Sequence, residues 1–241
     1  MKTALKILLL VGVFGYIVFA ITNLAHPTEE VTCDSVSVSI CDSVPSDCIT
    51  IDYIYGILRR HKIAVEGKKF SEIDLPMIDS LIMENPYIDH VRSHFTATGT
   101  LYIQVTPQHP ILHIMAQNGE DYYLDCKGTV MPVDTVKADL CVATGNISQK
   151  FARERLIPLA KYINEDKFWN RQIEQIHVVA DYDIEMIPRV GKHIIMLGDA
   201  RNYTDQLERL LLFYREGLPV VGWNKYKAIN LAFDGQIVGI K

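Results

Sequence analysis

Residues 226–241 read YKAINLAFDGQIVGIK and predict a terminal β-hairpin at the edge of a sheet. Apolar residues alternate with small or polar ones in the first half, as is typical of a half-buried strand. These apolar residues are Ile229, Leu231 and Phe233. Asp234-Gly235 is a strong hairpin turn signal, so two strands are expected, over about residues 227–233 and 236–240.

No further strand follows Ile240 in the sequence, so one edge of the last sheet is expected to lack a partner strand within the chain. Such an edge offers N–H and C=O groups to a strand from another protein. The alternative is an edge that its own domain covers or that Lys241 blunts with its charge.

Upstream of the hairpin, from about residue 109, the pattern predicts a mixed α/β domain that is rich in antiparallel strands. Asn118-Gly119 is a second hairpin turn signal. The predicted strands cover about residues 111–116, 121–124, 173–179, 184–188 and 192–197. The predicted helices cover about residues 149–165, with a kink at Pro158, and 204–217.

Residues 28–108 predict a smaller module with the order strand, helix, helix, strand, strand. Its strands are expected at about residues 32–40, 88–95 and 101–105. Its helices are expected from Thr50, a potential N-cap, and over about residues 75–84. A three-stranded sheet with both helices on one face would bury these apolar stripes, so the fold class is α+β.

The N-terminal 27 residues have a different composition. Residues 7–21, ILLLVGVFGYIVFAI, contain no charge, and the apolar stretch extends to residues 5–24 with few interruptions. As a helix it would span about 30 Å, the thickness of a bilayer core. Lys2 and Lys6 precede it, so the positive-inside rule predicts one transmembrane helix with a cytoplasmic N terminus and residues 28–241 exported. A cleaved signal peptide is the alternative, since Val18-Phe19-Ala20 fits a cleavage pattern.

The composition argues against several function classes. The chain has 24 Lys and Arg against 29 Asp and Glu, a net charge of −5, which argues against nucleic acid as the main partner. Motifs of nucleophilic hydrolases, zinc proteases and P-loop enzymes are not found. The pairs His90/His94 and His109/His113 lack ligand-type neighbours, so exposed or hydrogen-bonded histidines are expected rather than a metal site. We therefore expect no catalytic residue, no cofactor and no metal.

Five cysteines follow the apolar segment: Cys33, Cys41, Cys48, Cys126 and Cys141. An odd number cannot pair completely, and no CxxC pair is present. The sequence predicts buried thiols with at most one or two disulfides, and a disulfide that involves Cys33, Cys41 or Cys48 is the alternative.

Taken in order, these elements resemble the bacterial cell-division protein FtsQ/DivIB family. Glu84–Ile88, ENPYI, is similar to the asparagine-proline-aromatic step that follows the family's second helix. Leu101–Val105 followed by Pro110 is similar to the strand that leaves the first module. Tyr123–Asp125 resembles the first hairpin of the second domain, and Tyr226–Lys241 resembles the terminal hairpin.

The resemblance implies a cytoplasmic tail and signal-anchor over residues 1–27, a POTRA-like βααββ domain over 28–108 and an FtsQ-type β domain over 109–241. It implies a non-enzymatic scaffold in the bacterial inner membrane at the division site, with periplasmic domains. The implied partners are FtsB- and FtsL-like proteins, with further division proteins contacting the POTRA domain and the membrane segment.

The resemblance also places the partner contact on the terminal hairpin by strand addition. The residues carried over are Ile229, Leu231, Phe233, Asp234, Gly235, Gln236, Ile237, Val238, Gly239 and Ile240. The chain departs from the pattern at Ile240, where some members of the family have tryptophan. Two alternatives from other classes are a POTRA-containing polypeptide transport component and an anchored envelope enzyme.

Overall fold

The computed structural model of the protein describes residues 10–20, 31–41, 49–133, 140–179 and 182–241. Within it the chain forms two compact units, Met1–Pro107 and Gln108–Lys241.

Residues 10–20 form an exposed helix, α1. The rest of the predicted cytoplasmic tail and membrane segment, residues 1–9 and 21–27, lies outside the described residues. Within the described residues, no helix combines the length and the apolar character that crossing a membrane requires.

The first unit has the predicted βααββ order. Its elements are β1 (Ser35–Ile40), α2 (Ile51–Arg60), α3 (Leu75–Met83), β2 (Ile88–Phe95) and β3 (Thr100–Pro107). The strand order is β1-β3-β2, with β1 parallel and β2 antiparallel to the central β3. A short 3-10 turn, Phe70–Glu72, precedes α3.

Local capping explains where these helices begin. The Thr50 hydroxyl accepts a hydrogen bond from the Tyr53 N–H at 3.2 Å, as predicted, and Asp74 accepts one from the Met77 N–H at 3.0 Å. These side chains satisfy N–H groups that have no partner within the first turn. Pro76 lies in the first turn of α3, where its missing N–H costs nothing.

Buried and half-buried residues alternate along β3, and the buried ones form part of the core of the first unit. Leu101, Ile103 and Val105 are fully buried, whereas the residues between them are half-buried. Ile54 of α2 and Ile82 of α3 are also fully buried, so the two helices supply the apolar surface that this face of the sheet requires.

The second unit is built on a nine-stranded sheet with the order β12-β11-β10-β9-β8-β7-β4-β5-β6. The strands are β4 (Pro110–Ala116), β5 (Asp121–Asp125), β6 (Val130–Pro132), β7 (Val142–Gly145), β8 (Ile173–Val178), β9 (Ile184–Pro188), β10 (Ile194–Gly198), β11 (Ala228–Asn230) and β12 (Val238–Ile240). β7 is parallel to both β4 and β8, and β11 is parallel to β10; the other neighbours are antiparallel.

Helices pack on the inner face of this sheet. They are α4 (Gln149–Phe151), α5 (Ile157–Glu165), α6 (Lys167–Gln172), α7 (Tyr203–Leu212) and α8 (Leu218–Val221). The shared core holds Leu156 and Leu159 of the first helical stretch, Leu207 and Leu210 of α7, and Ile229 of β11. Four short elements were not predicted from the sequence, namely β6, β7, α6 and α8.

Each long helical stretch contains a π turn that ends two residues before a proline. Ala152–Leu156 precedes Pro158, and Phe213–Gly217 precedes Pro219. A proline lacks the N–H of the α-helical ladder, and its ring clashes with the carbonyl four residues earlier. In both stretches that carbonyl belongs to the π turn. The wider turn accommodates the proline ring, so the helix continues beyond the proline. The kink predicted at Pro158 is therefore a π turn.

The described cysteines are free thiols: Cys33, Cys41, Cys126 and Cys141. Cys33 is buried, but Cys41 and Cys126 are exposed, so the expectation of buried thiols is wrong for these two. Burial raises the pKa of Cys141 to about 12, with Arg189 opposing the shift, which keeps this thiol protonated and unreactive at neutral pH. Cys48 lies outside the described residues.

A histidine is buried in the second unit beside β10. His193 is 2% exposed, and its Nε2 lies 2.6 Å from the Tyr214 hydroxyl. Its Nδ1 is also buried and has no hydrogen-bond partner in the described part of the chain. Burial lowers the pKa of His193 and raises that of Tyr214, because neither charged form is solvated there.

The buried His193 predicts acid sensitivity of the second unit. In the unfolded chain, histidine binds a proton as the pH falls through about 6.5, whereas folded His193 resists protonation. Its contribution to stability is therefore complete above about pH 6.5 and is lost as the pH falls from there toward the lowered pKa of the folded state. We expect thermal unfolding of wild type to shift downward between pH 7 and 5, and His193→Gln, which keeps a hydrogen-bonding group, to show a flatter profile. An equal acid shift in both proteins would contradict this assignment.

Candidate functional site

The terminal strand lies at the edge of the nine-stranded sheet. β12 pairs antiparallel with β11, with Ala228 opposite Ile240, Ile229 opposite Gly239 and Asn230 opposite Val238. In the sheet order of the described residues, β12 has no second neighbour. The edge that the sequence predicted is therefore present, although each strand of the hairpin has three residues.

The hydrogen-bonding directions along β11 show which groups of β12 point outward. The Ile194 N–H donates to the Lys227 C=O, and the Leu231 N–H donates to the Met196 C=O, so the groups of Ile229 between them face β10. The Lys227 N–H instead donates to the Ile240 C=O at 2.7 Å, as at a β-bulge. Because successive residues of a strand point to opposite sides, Ala228 and Asn230 bond to β12. The main-chain N–H and C=O groups of their partners Ile240 and Val238 therefore point toward β11. The N–H and C=O of Gly239, between them, point away from the sheet.

A bulky neighbour covers one side of Gly239. A Cβ atom placed there would lie 2.4 Å from Cε1 of Tyr226. The Tyr226 ring thus occupies the space of a side chain, and a glycine is required for the strand to lie against it. The result is a backbone segment whose polar groups are accessible from the edge.

Two aliphatic side chains stand on the outer face of the edge. Val238 is 38% exposed and Ile240 is 43% exposed. In the register of the sheet, Ile240 lies opposite Ala228, which in turn lies opposite Ile194, itself 40% exposed. An apolar row thus runs from the edge onto the outer sheet face, next to the position that an added strand would take.

Polar side chains of α7 hold the connection between β11 and β12. Gln206 Nε2 donates to the carbonyl groups of Leu197 and Leu231, at 2.9 and 3.0 Å. Arg209 Nη1 donates to Phe233 O at 3.2 Å and to Gln236 O. These contacts, here called the α7 clamp (Gln206 and Arg209), take up carbonyls that a longer hairpin would use, so the largely exposed loop of residues 232–237 is tied to α7.

The predicted site residues therefore separate into three groups. Ile229 and Leu231 are fully buried, and the expectation that their side chains fit a partner is not met because they fill the domain core. Ile237 packs partly against the same core. The remaining residues are exposed, namely Phe233, Asp234, Gly235, Gln236, Val238, Gly239 and Ile240.

Neither the α7 clamp nor the contact of Tyr226 with Gly239 was predicted from the sequence. Arg209 lies four residues after Asp205, whose carboxylate accepts from its Nε at 2.9 Å, a pairing that also suits an ordinary surface helix. Nothing in the helical pattern distinguishes an arginine that binds loop carbonyls from one in solvent. The aromatic character of Tyr226 gave no indication of its contact with Gly239.

Two of the other described edge strands, β1 and β6, carry protecting features. On β1, the Val36 carbonyl accepts a hydrogen bond from the Tyr55 hydroxyl at 2.9 Å. β6 has three residues and ends with Pro132, which lacks an N–H. Both features are typical of edges protected against strand addition.

The histidine pairs do not form a metal centre with neighbouring residues. His113 Nε2 lies 2.6 Å from Asp121 Oδ1, and the His94 ring packs against Tyr102. Among the described residues, no group of three or more His, Cys, Asp or Glu side chains is arranged to hold a metal ion.

Two family models match the chain. The model described as FtsQ/DivIB, C-terminal related, matches residues 109–240. The model described as POTRA-like domain matches residues 31–106. No curated protein matches the chain.

The α7 clamp predicts a local effect of changing Arg209. Arg209→Met removes two hydrogen bonds from a charged donor to the loop carbonyls, at a cost of about 2 kcal/mol to local closure. We expect amide hydrogen exchange of Val238 and Ile240, which pair with β11, to accelerate roughly thirty-fold. Arg201→Met is the matched control, since Arg201 pairs with Asp199 at 2.8 Å in an exposed ion pair that contributes little. Equal exchange in wild type and Arg209→Met would show that the clamp does not hold the edge.

Proposed function

Since the chain belongs to the FtsQ/DivIB family and so has a role in cell division, we propose that it is a non-enzymatic scaffold that recruits FtsB- and FtsL-like partners by strand addition at β12. The POTRA-like match and the βααββ order of the first unit agree with this assignment. The observation that carries the proposal is the open edge at Gly239, where the main-chain N–H and C=O point away from the sheet.

Backbone pairing at this edge would supply affinity. A strand laid beside β12 would satisfy both polar groups of Gly239, and each such hydrogen bond contributes about 1 kcal/mol net. Since β12 has three residues, this pairing alone is modest. The partner must therefore draw further affinity from side-chain contacts.

The exposed aliphatic residues are the natural source of side-chain contacts. Burial of Val238 and Ile240 would remove apolar area from water, at about 25 cal/mol per Å². Phe233, which is 55% exposed at the turn, is the large aromatic nearest to the edge within the predicted site. Aromatic residues dominate binding hot spots, so Phe233 can take the role that tryptophan at the position of Ile240 has in some members of the family.

The proposed placement in the cell follows from the apolar N terminus. We propose that residues 1–27 form a cytoplasmic tail and a single membrane span, with the POTRA-like domain (28–108) and the β domain (109–241) in the periplasm at the division site. The uncharged residues 7–21 and the preceding Lys2 and Lys6 support this orientation. Anchoring confines both partners to one membrane, which raises their effective concentration and compensates for a small interface.

Replacing Gly239 by proline tests strand addition directly. Proline removes the outward N–H, and the additional change Tyr226→Ala makes room for its ring. We expect Tyr226→Ala/Gly239→Pro to bind the FtsB-like protein of the same organism at least tenfold more weakly than Tyr226→Ala/Gly239→Ala, measured by titration of full-length protein in lipid nanodiscs.

The two double variants differ at the outward N–H and in the proline ring, and both lack the Tyr226 ring. Circular dichroism spectra that match wild type would show that both are folded. Equal affinities of the folded variants would exclude main-chain pairing at Gly239.

Depletion of the protein tests the division role and the location. We expect cells to filament as the protein is depleted, because septum assembly stalls, and a fluorescent fusion to concentrate at midcell. Complementation by wild type, but not by Tyr226→Ala/Gly239→Pro, would link the phenotype to the edge. Normal septation with a uniform signal would contradict the proposed role.

A further inference from the structure

A cleft of about 530 Å³ lies in the second unit away from the β12 edge. It is located where β4, β7 and β8 end, three neighbouring strands that are parallel to one another. From this point β4 turns into the β5 hairpin, while β7 leads into the helical crossover to β8. Ligands of open α/β sheets commonly bind beyond the carboxyl ends of parallel strands at such a divergence. The volume lies in the range of small-ligand sites.

Gly145 forms part of the cleft wall and can only be glycine. Its φ is +101°, and a Cβ atom would lie 2.1 Å from the Val178 carbonyl oxygen. The backbone of β7 therefore approaches β8 closely here, and no side chain from this position fills the cleft.

A hydrogen-bond chain orients His177 in this cleft. Gln175 Nε2 donates to Thr144 Oγ1 at 2.8 Å, and Thr144 Oγ1 lies 2.9 Å from His177 Nδ1. The direction of the Thr144–His177 hydrogen bond depends on the histidine tautomer. Donation of the Thr144 hydroxyl proton to Nδ1 selects the neutral tautomer that carries its proton on Nε2, and in that tautomer the cleft gains a hydrogen-bond donor.

The other lining groups define the chemistry of the ligand. Gln117 and Asn146 offer primary amides, each of which can donate and accept, and Met115 and Val179 add apolar contact. The described residues that line the cleft include no Asp, Glu, Lys or Arg. The described lining thus offers a charged ligand no counter-ion, whereas a peptide group, with one N–H and one C=O, matches a primary amide in both directions. Met115 adapts its shape to small aliphatic side chains.

We propose that this cleft binds an uncharged, extended peptide segment, with its carbonyl group accepting from His177 Nε2 and its main-chain amides pairing with Gln117 and Asn146. This site is separate from the β12 edge and does not depend on the proposed partner. A peptide bound here would have small side chains, such as alanine, against Met115 and Val179.

Methyl NMR of the full chain in nanodiscs, labelled at the methionine methyl groups, tests this site with N-acetyl-alanyl-alanine amide as the probe. We expect a saturable shift of the Met115 methyl signal and no shift of Met77 or Met83. These two lie on α3 and are 45% and 43% exposed, close to the 47% of Met115, so they control for non-specific contact. Equal shifts of all three signals, or no saturable shift at Met115, would overturn the proposal.

Two variants test the hydrogen-bond chain. His177→Phe keeps a planar ring but removes the donor, and we expect at least a fivefold weaker response of Met115. Thr144→Val keeps the side-chain shape and releases the imidazole tautomer, so we expect weaker binding together with loss of the Nε2-protonated signature in histidine ¹⁵N spectra. Unchanged affinity in both variants would overturn the proposal, as would a stronger response to acetate than to the amide, since that outcome would identify a carboxylate site.

Discussion

The proposed binding edge depends on hydrogen bonds that α7 donates to the loop before the last strand. Gln206 and Arg209 bind the carbonyl groups of residues 231, 233 and 236, and the chain can then return beside β11 for three residues. Without these contacts the loop carbonyls would have water as their main alternative, and β12 would be held by its pairing with β11 and by the packing of Ile237 and Tyr226. The α7 helix is itself held by Leu207 and Leu210 in the core, so the edge is coupled to the most buried part of the domain.

Because β12 is short, main-chain hydrogen bonds can supply only part of the binding energy of an added strand. Three paired residues offer few main-chain hydrogen bonds, and natural proteins use short edges to avoid unspecific pairing. An edge of this kind suits a partner that is already confined nearby, because the low intrinsic affinity is then sufficient. The outward polar groups of Gly239, the exposed aliphatic residues Val238 and Ile240, and a proposed common membrane fit this arrangement. On the edge strand β1, the hydrogen bond from the Tyr55 hydroxyl to the Val36 carbonyl takes up a group that an added strand would need.

Much of the architecture was predictable from the sequence because local signals agree with the tertiary structure. Thr50 as N-cap and Pro76 in the first turn of α3 marked two helices, and the alternation along Leu101–Val105 marked the central strand of the first sheet. The shortest elements escaped because a four-residue strand such as Val142–Gly145 is too short to show a period. The edge position of β12 followed from chain order, whereas the burial of Ile229 and Leu231 followed from α7 packing on this face of the sheet. Side-chain contacts across long sequence separations, such as Arg209 with Gln236 or Tyr226 with Gly239, have no local signature.

Strand addition at β12 is best tested by the exchange rate of one amide proton. The Gly239 N–H lies at the open edge, whereas the Val238 and Ile240 main-chain groups pair with β11. Amide hydrogen exchange, resolved by residue, is to be compared for the protein alone and with the FtsB-like protein that is proposed as its partner. We expect Gly239 to exchange rapidly alone and to become protected in the complex, while Val238 is protected in both. A Gly239 amide that exchanges equally fast in the saturated complex would contradict strand addition at this edge.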